Sequence, residues 1–373
     1  MPQPMFAPVP PAPSRRRALV LGMAGAMGAA WSSTAHALPP RSLAFPRDHG
    51  SHPGQRTEWW YITGHAQAGG RPWGFQVTFF RSRVDAAQSL KSAFAAKNLL
   101  FAHAALTDLT GQRLQHDQRI ARAGFGVAEA SEADTAIRLQ DWSLVRSDLP
   151  GGKGSRYTAR IQGAHFGLQL QCETTQPVLL QGREGLSRKG PESAQASYYY
   201  SQPQLAVGGA IVLEGQRLAI DATNARAWMD HEWSEALLHP EARGWDWIGM
   251  NLLDGSALTA FRLRRADGSA LWAGGAFRSP GQAARIFDAS EVVFAAERWW
   301  TSPLSGARYP VQWRVQTPVG VFLVRSLLDD QELDSSGSTG AIYWEGLSEL
   351  VRDGTVVGKG YLEMTGYAKA LKL

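Results

Sequence analysis

Glycine-bearing two-residue turns recur along this chain between short runs of strand-forming residues, and that rhythm restricts the fold more than any other feature. Gly69-Gly70 separates Glu58-Trp-Trp-Tyr-Ile-Thr-Gly64 from Trp73-Gly-Phe-Gln-Val-Thr-Phe-Phe-Arg81, and Asp254-Gly255, Asp267-Gly268 and Asp353-Gly354 divide later pairs of runs. Such dipeptides take up the positive φ that tight hairpins need, so each marks two antiparallel strands joined by a minimal loop. By the same reading 157–162 pairs with 166–172, and 210–213 pairs with 218–222 across Glu214-Gly-Gln216. Segments 311–317 and 321–327 form one more pair, and 99–107 and 198–202 are further strands. Helical periodicity is nearly missing. Only 86–97, 129–135 and 235–243 read as loop or helix, and the polar, glycine-rich 181–195 reads as a long surface loop or lid. The chain is therefore expected to be all-β, built from antiparallel barrels or sandwiches.

The length suits two domains or one large β-protein. Tryptophan-rich hairpins occur in both halves, so the expectation is two related β-domains, 38–235 and 236–373. The chain holds 14 tryptophans, large side chains suited to filling or lining the space between strands. Ahead of them, Ser14-Arg-Arg-Arg-Ala-Leu19 leads into an apolar run ending near Ala35-His-Ala37. That is a charged region, a short apolar region and a cleavage site, so 1–37 reads as an export signal of the twin-arginine type. The run is shorter than the roughly 18 residues a membrane span needs. A soluble periplasmic protein is expected.

Charge and cysteine exclude several classes. The formal charge of +5 includes three arginines of the signal, so the mature chain is close to neutral. It shows no basic stripe interleaved with aromatics, and nucleic acid is not an expected partner. Cys172 is the sole cysteine, which rules out an internal disulfide and a cysteine-based zinc site. Its run alternates apolar and polar, the setting of a core thiol. His49-Gly-Ser-His52 with Asp48 sets two histidines in a loop without fixing a third ligand, so no metal is expected. There is no Gly-x-Ser-x-Gly elbow and no phosphate or dinucleotide glycine loop, and no cofactor is implied.

The run Trp228-Met-Asp-His-Glu-Trp233, followed by Gly244-Trp-Asp-Trp247, concentrates the candidate chemistry. On a strand, Trp228, Asp230 and Glu232 share one face, while Met229, His231 and Trp233 share the other. Protonating an alkene needs an acid whose pKa burial has raised, beside aromatic faces that stabilise a cation. Asp230, His231 and Glu232 are the catalytic candidates, with Trp233, Trp245 and Trp247 as ligand-binding faces. Glu58 and Trp60, which share a strand face, and Tyr198 and Tyr200, which share another, are further ligand-binding candidates. For Asp230 or Glu232, the competing expectation is a structural ion pair with Arg81 or Arg226. For His103, a satisfied core histidine is expected.

These blocks resemble a known family. Phe45-Pro-Arg-Asp-His-Gly-Ser-His-Pro53 with Glu58 to Gly64, the Trp228–Trp233 run, and Tyr343-Trp-Glu-Gly346 with Gly358-Lys-Gly-Tyr-Leu-Glu-Met-Thr-Gly-Tyr367 are similar to the AttH/CrtC lipocalin-like superfamily. That family includes bacterial carotenoid 1,2-hydratases and exported proteins called secreted hydrolases. The resemblance implies two lipocalin-like antiparallel β-barrel domains with a ligand cleft at or between them. In the hydratase members it implies acid-catalysed addition of water to a terminal double bond. There the candidates are a His and a Trp of an Asp-His-x-Trp motif, matching His231 and Trp233, and a Tyr and an Asp in a following strand. Here that strand reads Ala257-Leu-Thr-Ala-Phe-Arg-Leu263 and has neither. Two functions are therefore expected as alternatives. One is acid–base chemistry, a hydration or isomerisation, on an isoprenoid or lipid. The other is non-catalytic carriage of a hydrophobic small molecule to an ABC-transporter permease, a partner implied by the resemblance alone. The oligomeric state is left open.

Overall fold

The computed structural model describes residues 37–236 and 238–371, so the export signal read at 1–37 lies outside the described residues except for its last position. Nearly every described element is a strand. The first sheet opens with β1 (Thr57–Ala68), β2 (Arg71–Arg83), β3 (Asn98–Asp108) and β4 (Arg113–Arg122). It continues through β5 (Ala128–Ala130), β6 (Ala136–Leu139), β7 (Trp142–Asp148), β8 (Ser155–Gln162) and β9 (Phe166–Glu173). It ends with β10 (Leu179–Leu180), β11 (Leu186–Arg188), β12 (Ala196–Leu213) and β13 (Gln216–Ala236). The second sheet holds β14 (Gly244–Leu252), β15 (Ala257–Arg264), β16 (Ala270–Arg278), β17 (Arg285–Phe287) and β18 (Val293–Thr301). Its remaining strands are β19 (Arg308–Thr317), β20 (Gly320–Ser326), β21 (Glu332–Ser335), β22 (Ala341–Arg352) and β23 (Thr355–Met364). Among the described residues the only helical pieces are three short 3-10 turns, and no helix is long and apolar enough to cross a membrane.

Turn chemistry builds the hairpins. Gly69 and Gly70 (φ 57° and 73°) join β1 to β2, Glu214 and Gly215 (φ 49° and 79°) join β12 to β13, and Asp353 and Gly354 (φ 50° and 77°) join β22 to β23. Two successive positive φ values match the twist of the flanking strands. In the first sheet the order runs β4-β3-β2-β1-β13-β12-β9-β8-β7-β6-β5. Its two ends approach where β4 meets β6, so the sheet curls almost to closure. The second runs β17-β16-β15-β14-β23-β22-β20-β19-β18.

Alternation divides each strand between a packed interior and an outer face. Trp60, Trp73, Phe75, Phe79, Trp142 and Tyr157 fill the first sheet's interior, and Trp313, Trp344, Tyr309, Met250 and Leu362 fill the second's. Cys172 is wholly buried in the first core, and burial pushes its thiol up to about 12. The outer faces of β1, β2, β12 and β13 pack against those of β14, β22 and β23. Where the sheets touch most closely, a small residue is required. A side chain on Gly74 would meet the Tyr361 hydroxyl at 2.8 Å and Leu347 at 3.0 Å. Polar ties cross the same seam. Asn251 donates to the Ala227 carbonyl (3.0 Å), and Thr107 donates to Gln331 (2.9 Å). Where the faces diverge, they leave a cleft.

Candidate active site in the cleft between the sheets

The strand period decides which candidates see the cleft. Tyr61 stands opposite Asp230 and Trp59 opposite Glu232, while Trp60 stands opposite His231 and Glu58 opposite Trp233. The first set faces the second sheet; the second set points into the first sheet's interior. The cleft has a volume of about 720 Å³, within the range of small-molecule sites. Its walls are aromatic: Trp59, Phe80 and Phe101 from one sheet, Trp245, Trp247 and Phe261 from the other. Trp59 and Trp245 lie nearly parallel across it, with ring centres 6.5 Å apart. A separate depression of about 820 Å³ at the hairpin end of the first sheet is lined by turn residues and strand ends and lacks such walls.

Besides Glu58 at its edge, four carboxyl groups enter this apolar space: Asp230, Glu232, Glu345 and Glu363. Asp230 accepts hydrogen bonds from Tyr199 (2.7 Å), Ser201 (2.5 Å) and the Trp228 indole (2.7 Å). Those bonds favour the ionised form, but burial outweighs them, and with the charge of Glu232 nearby the carboxyl is raised to about 7. The Trp247 indole donates to the Tyr199 hydroxyl (3.2 Å), so a chain of donors ends on Asp230. Glu232 is paired instead, with Lys189 3.0 Å away, and the ammonium also sits over the rings of Tyr199 and Phe261. Lys189 belongs to the segment read as a surface loop or lid. The structure corrects that reading: β11, within the segment, pairs with β12, and Lys189 is buried against its carboxylate partner.

Glu345 and Glu363 stand directly opposite on β22 and β23. Burial raises both, and the charge of Glu363 adds to the effect on Glu345. Glu345 Oε1 has no hydrogen-bond partner. The neighbouring Tyr61 hydroxyl has no partner other than Glu345 itself, and burial together with the Glu345 and Glu363 charges raises its pKa.

His231 sits behind this wall in a buried network. Its Nε2 donates to Glu58 (3.0 Å), and its Nδ1 accepts from the Tyr200 hydroxyl (3.2 Å). Burial lowers its pKa to about 4, so the ring is neutral. Glu58 also accepts from His52 Nδ1 (2.7 Å), the His52 backbone (2.9 Å), Ser51 (2.9 Å) and Arg81 (2.9 Å). Burial alone would raise Glu58, but the bonds from His231 and His52 hold it well below the usual carboxylate range. His52 Nε2 faces Asp48 (3.0 Å), which Arg41 grips with both nitrogens (2.8 and 3.0 Å). The His52 ring thus bridges Asp48 and Glu58. Tyr200 closes the network by accepting from His49 (2.8 Å). His52, Glu58 and His231 thus bring three ligand atoms within 4.8 Å of one another. Two ligands of this trio were invisible in the loop pair His49 and His52. Each of the three atoms already has a bonded partner, and the Arg81 guanidinium on Glu58 opposes a second cation there. The trio is a hydrogen-bonded hub that anchors the N-terminal segment to β1 and β13.

The proposed site residues therefore separate. Asp230, Glu232, Trp245 and Trp247 line the cleft, and Glu58 reaches its edge beside Arg81. His231, Trp60, Trp233 and Tyr200 are in the interior, where Trp60 stacks on His231 and Trp233 stacks on His52 (3.8 Å). Tyr198 points the same way, donating to the Pro39 carbonyl. Neither Arg81 nor Arg226 pairs with Asp230 or Glu232; Arg81 is taken by Glu58. His103 is satisfied as expected, with Tyr343 and Ser338 each 2.8 Å away, but it sits at the seam between the sheets.

A protein-family model for AttH-like proteins matches residues 36–367. The chain belongs to the AttH-like family. A crystal structure from Nitrosomonas europaea assigned to AttH is 45% identical to it, with a TM-score of 0.81 over 89% of this chain and 99% of its own. Kievitone hydratase from Nectria haematococca shares the fold at 13% identity, with a TM-score of 0.68 over 88% of this chain and 94% of its own. CghA, solved also with Sch210972, shares it at 14% identity and a TM-score of 0.50, over 88% of this chain and 95% of its own. No curated protein matches the chain.

In this AttH-like chain the sequence reading missed Tyr199, Lys189, Glu345 and Glu363. A signal for the last two was present. Alternation within Tyr343-Trp-Glu-Gly346 puts Tyr343 with Glu345, and alternation within Gly358–Tyr367 puts Tyr361 with Glu363. What no single strand discloses is that the two runs pair in a register that sets one acid against the other.

Glu345 gives a pH-dependent prediction. An acid raised in the folded chain keeps its proton there at a pH where the unfolded chain has released it. Its favourable contribution is full below the ordinary value of 4.5 and is lost as pH rises towards the higher folded value. Glu345→Gln should therefore stabilise the protein by about 1–3 kcal/mol at pH 8 and by little near pH 4. Urea unfolding at both pH values checks this; an equal effect at the two would contradict the assignment.

Proposed function

We propose that the cleft binds a predominantly apolar small molecule and that Asp230, acting through Tyr199, is its proton donor. One observation carries this reading: a carboxyl raised to about 7 stands in an aromatic-walled cavity large enough for such a ligand. An acid of that strength is still substantially protonated at neutral pH and strong enough to give the proton up. Tyr199 would pass a proton to one carbon of a double bond while taking one from Asp230. Water would then bond to the neighbouring carbon and return a proton to Asp230 by the same route. The net change is addition of water; loss of a carbon-bound proton instead gives an isomer. Kievitone hydratase, which shares the fold, is a hydratase by name and supports this reading by analogy only.

Carriage without chemistry is the competing reading, and one observation favours it. The cleft-facing side chains of β15 are Phe261 and Leu263, so the wall that the hydratase resemblance would furnish with an acid is apolar. In that case the protein would pass its ligand on unchanged, with an ABC-transporter permease as the proposed partner and the periplasm as the proposed compartment.

Isotopic labelling separates the readings. Apolar alkenes incubated with the protein in oxygen-18 water should gain labelled oxygen if it hydrates them. In deuterated water they should gain deuterium alone if it isomerises them. Stoichiometric retention with neither label would establish carriage and remove Asp230 as a catalytic residue.

A further inference from the structure

The Glu345–Glu363 pair is not used by the proton donor described above, and its surroundings are unusual. Glu345 is 3% exposed and Tyr61 is 6% exposed, and apart from one another their cleft-facing oxygens have no partner. Of the cationic side chains on the cleft wall, Arg81 is held by Glu58 and Lys189 by Glu232, while Lys369 stands exposed at the rim and pairs with neither acid among the described residues. Among the described residues, neither Glu345 nor Glu363 has a salt-bridge partner. Like acids placed directly across two strands repel one another when ionised, and sheltering buried Glu345 and half-buried Glu363 without a counter-charge favours their protonated forms. The aromatic groups nearby have the complementary polarity. Trp247 is the cross-strand neighbour of Glu363 on β14, Tyr61 meets the Trp247 ring edge-on at 5.4 Å, and Trp245 and Trp59 face one another beside them. Ring faces beside a carboxylate pair form a receptor for a cation. A neutral hydroxyl could satisfy one oxygen but would leave the acids protonated, whereas a cation stabilises them as carboxylates.

We infer that the Glu345, Glu363 and Tyr61 corner of the cleft, walled by Trp245 and Trp247, is a binding subsite for a positively charged nitrogen on an otherwise apolar ligand. An amine would lie between the two carboxyls, accept the Tyr61 hydroxyl's proximity as a polar neighbour, and direct its hydrocarbon part along the aromatic walls towards Asp230. The ligand class is thus an amphiphile with a basic nitrogen at one end. This rests on the reading of the cleft as a small-molecule site, but not on Asp230 being catalytic.

Calorimetric titration of the protein with decylamine and with decanol, both below micelle-forming concentrations, tests it. Decylamine should bind about tenfold or more tightly than decanol, the scale expected for a desolvated cation held by carboxylate and ring faces. Glu345→Gln and Glu363→Gln should each reduce that preference towards parity while leaving decanol binding in place, which shows that the fold and the apolar walls survive. Asp230→Asn should retain the amine preference. Parity in the wild-type protein, failure of decylamine to bind, or an amine preference that persists in both glutamine variants would overturn the inference. If decanol and decylamine both fail to bind the wild-type protein, the small-molecule reading of the cleft falls with it. Retained amine preference alongside no turnover of any alkene would remove only the catalytic role.

Discussion

Glu58→Ala is expected to cost about 3–5 kcal/mol of stability, the largest single effect in the protein outside its tryptophan core. The carboxylate accepts from His52, His231, Ser51 and Arg81 and is essentially without solvent contact. Its loss leaves the Arg81 guanidinium buried beside backbone carbonyls without a counter-charge and removes the acceptor that fixes the His231 tautomer. Glu58→Gln keeps the shape and one acceptor oxygen and should recover part of the loss. Arg81→Ala should be comparably damaging, and the double variant should cost less than the sum, since each single change strands the other's partner. Chemical denaturation of the four proteins decides it. Additive effects would mean that the hub is not one unit. The effect also has a pH signature. His231 is lowered to about 4 and His49 to about 3, both mainly by burial, so each binds its proton more readily when unfolded. The stability from burying them neutral is full above the ordinary value of 6.5 and declines as pH falls towards the folded values.

Asp230→Asn is expected to reduce turnover by about 10²–10⁴-fold while leaving the fold intact, the usual range for loss of a positioned general acid. Asparagine can still accept from Ser201 and Trp228 but cannot supply the proton that Tyr199 passes on. The wild-type rate should fall as pH rises through about 7, because the donor form of Asp230 is lost there. That limb should be missing from the residual activity of the variant. Tyr199→Phe should reproduce the loss of rate, since it removes the hydroxyl between acid and cleft. A wild-type rate that is flat across neutral pH, or a Tyr199→Phe protein with undiminished turnover, would place the donor elsewhere.

The sequence disclosed the all-β fold because turn chemistry is local. Gly69-Gly70 and Asp353-Gly354 set their own backbone angles, and the alternation beside them needs no distant partner to be visible. The segment from Arg113 to Asp148 was harder to read. Its four strands include the polar run Arg-Leu-Gln-His-Asp-Gln, half-exposed on an edge, where no apolar alternation marks the inward face. Likewise β12 was read as two pieces, because the bulged register between Gln202 and Leu205 and between Ala206 and Ala210 breaks its period. The site was legible to the same depth. The alternation of Trp228–Trp233 correctly divided Asp230 and Glu232 from His231 and Trp233, but it could not say which face was solvent, core or cleft. That depends on the second sheet. Its packing against the outer face left His231 in the interior and brought Glu345 and Glu363, more than a hundred residues away in the chain, opposite Asp230.

The protonation state of Asp230 can be measured without any ligand. Infrared titration of the protein, subtracting Asp230→Asn from wild type, isolates the carbonyl stretch of a protonated Asp230 carboxyl. The band should persist in mildly acidic solution and disappear with a midpoint near pH 7. A band already lost by about pH 4, the range of an ordinary aspartate, would show Asp230 to be a carboxylate at neutral pH and would contradict its role as the cleft's proton donor.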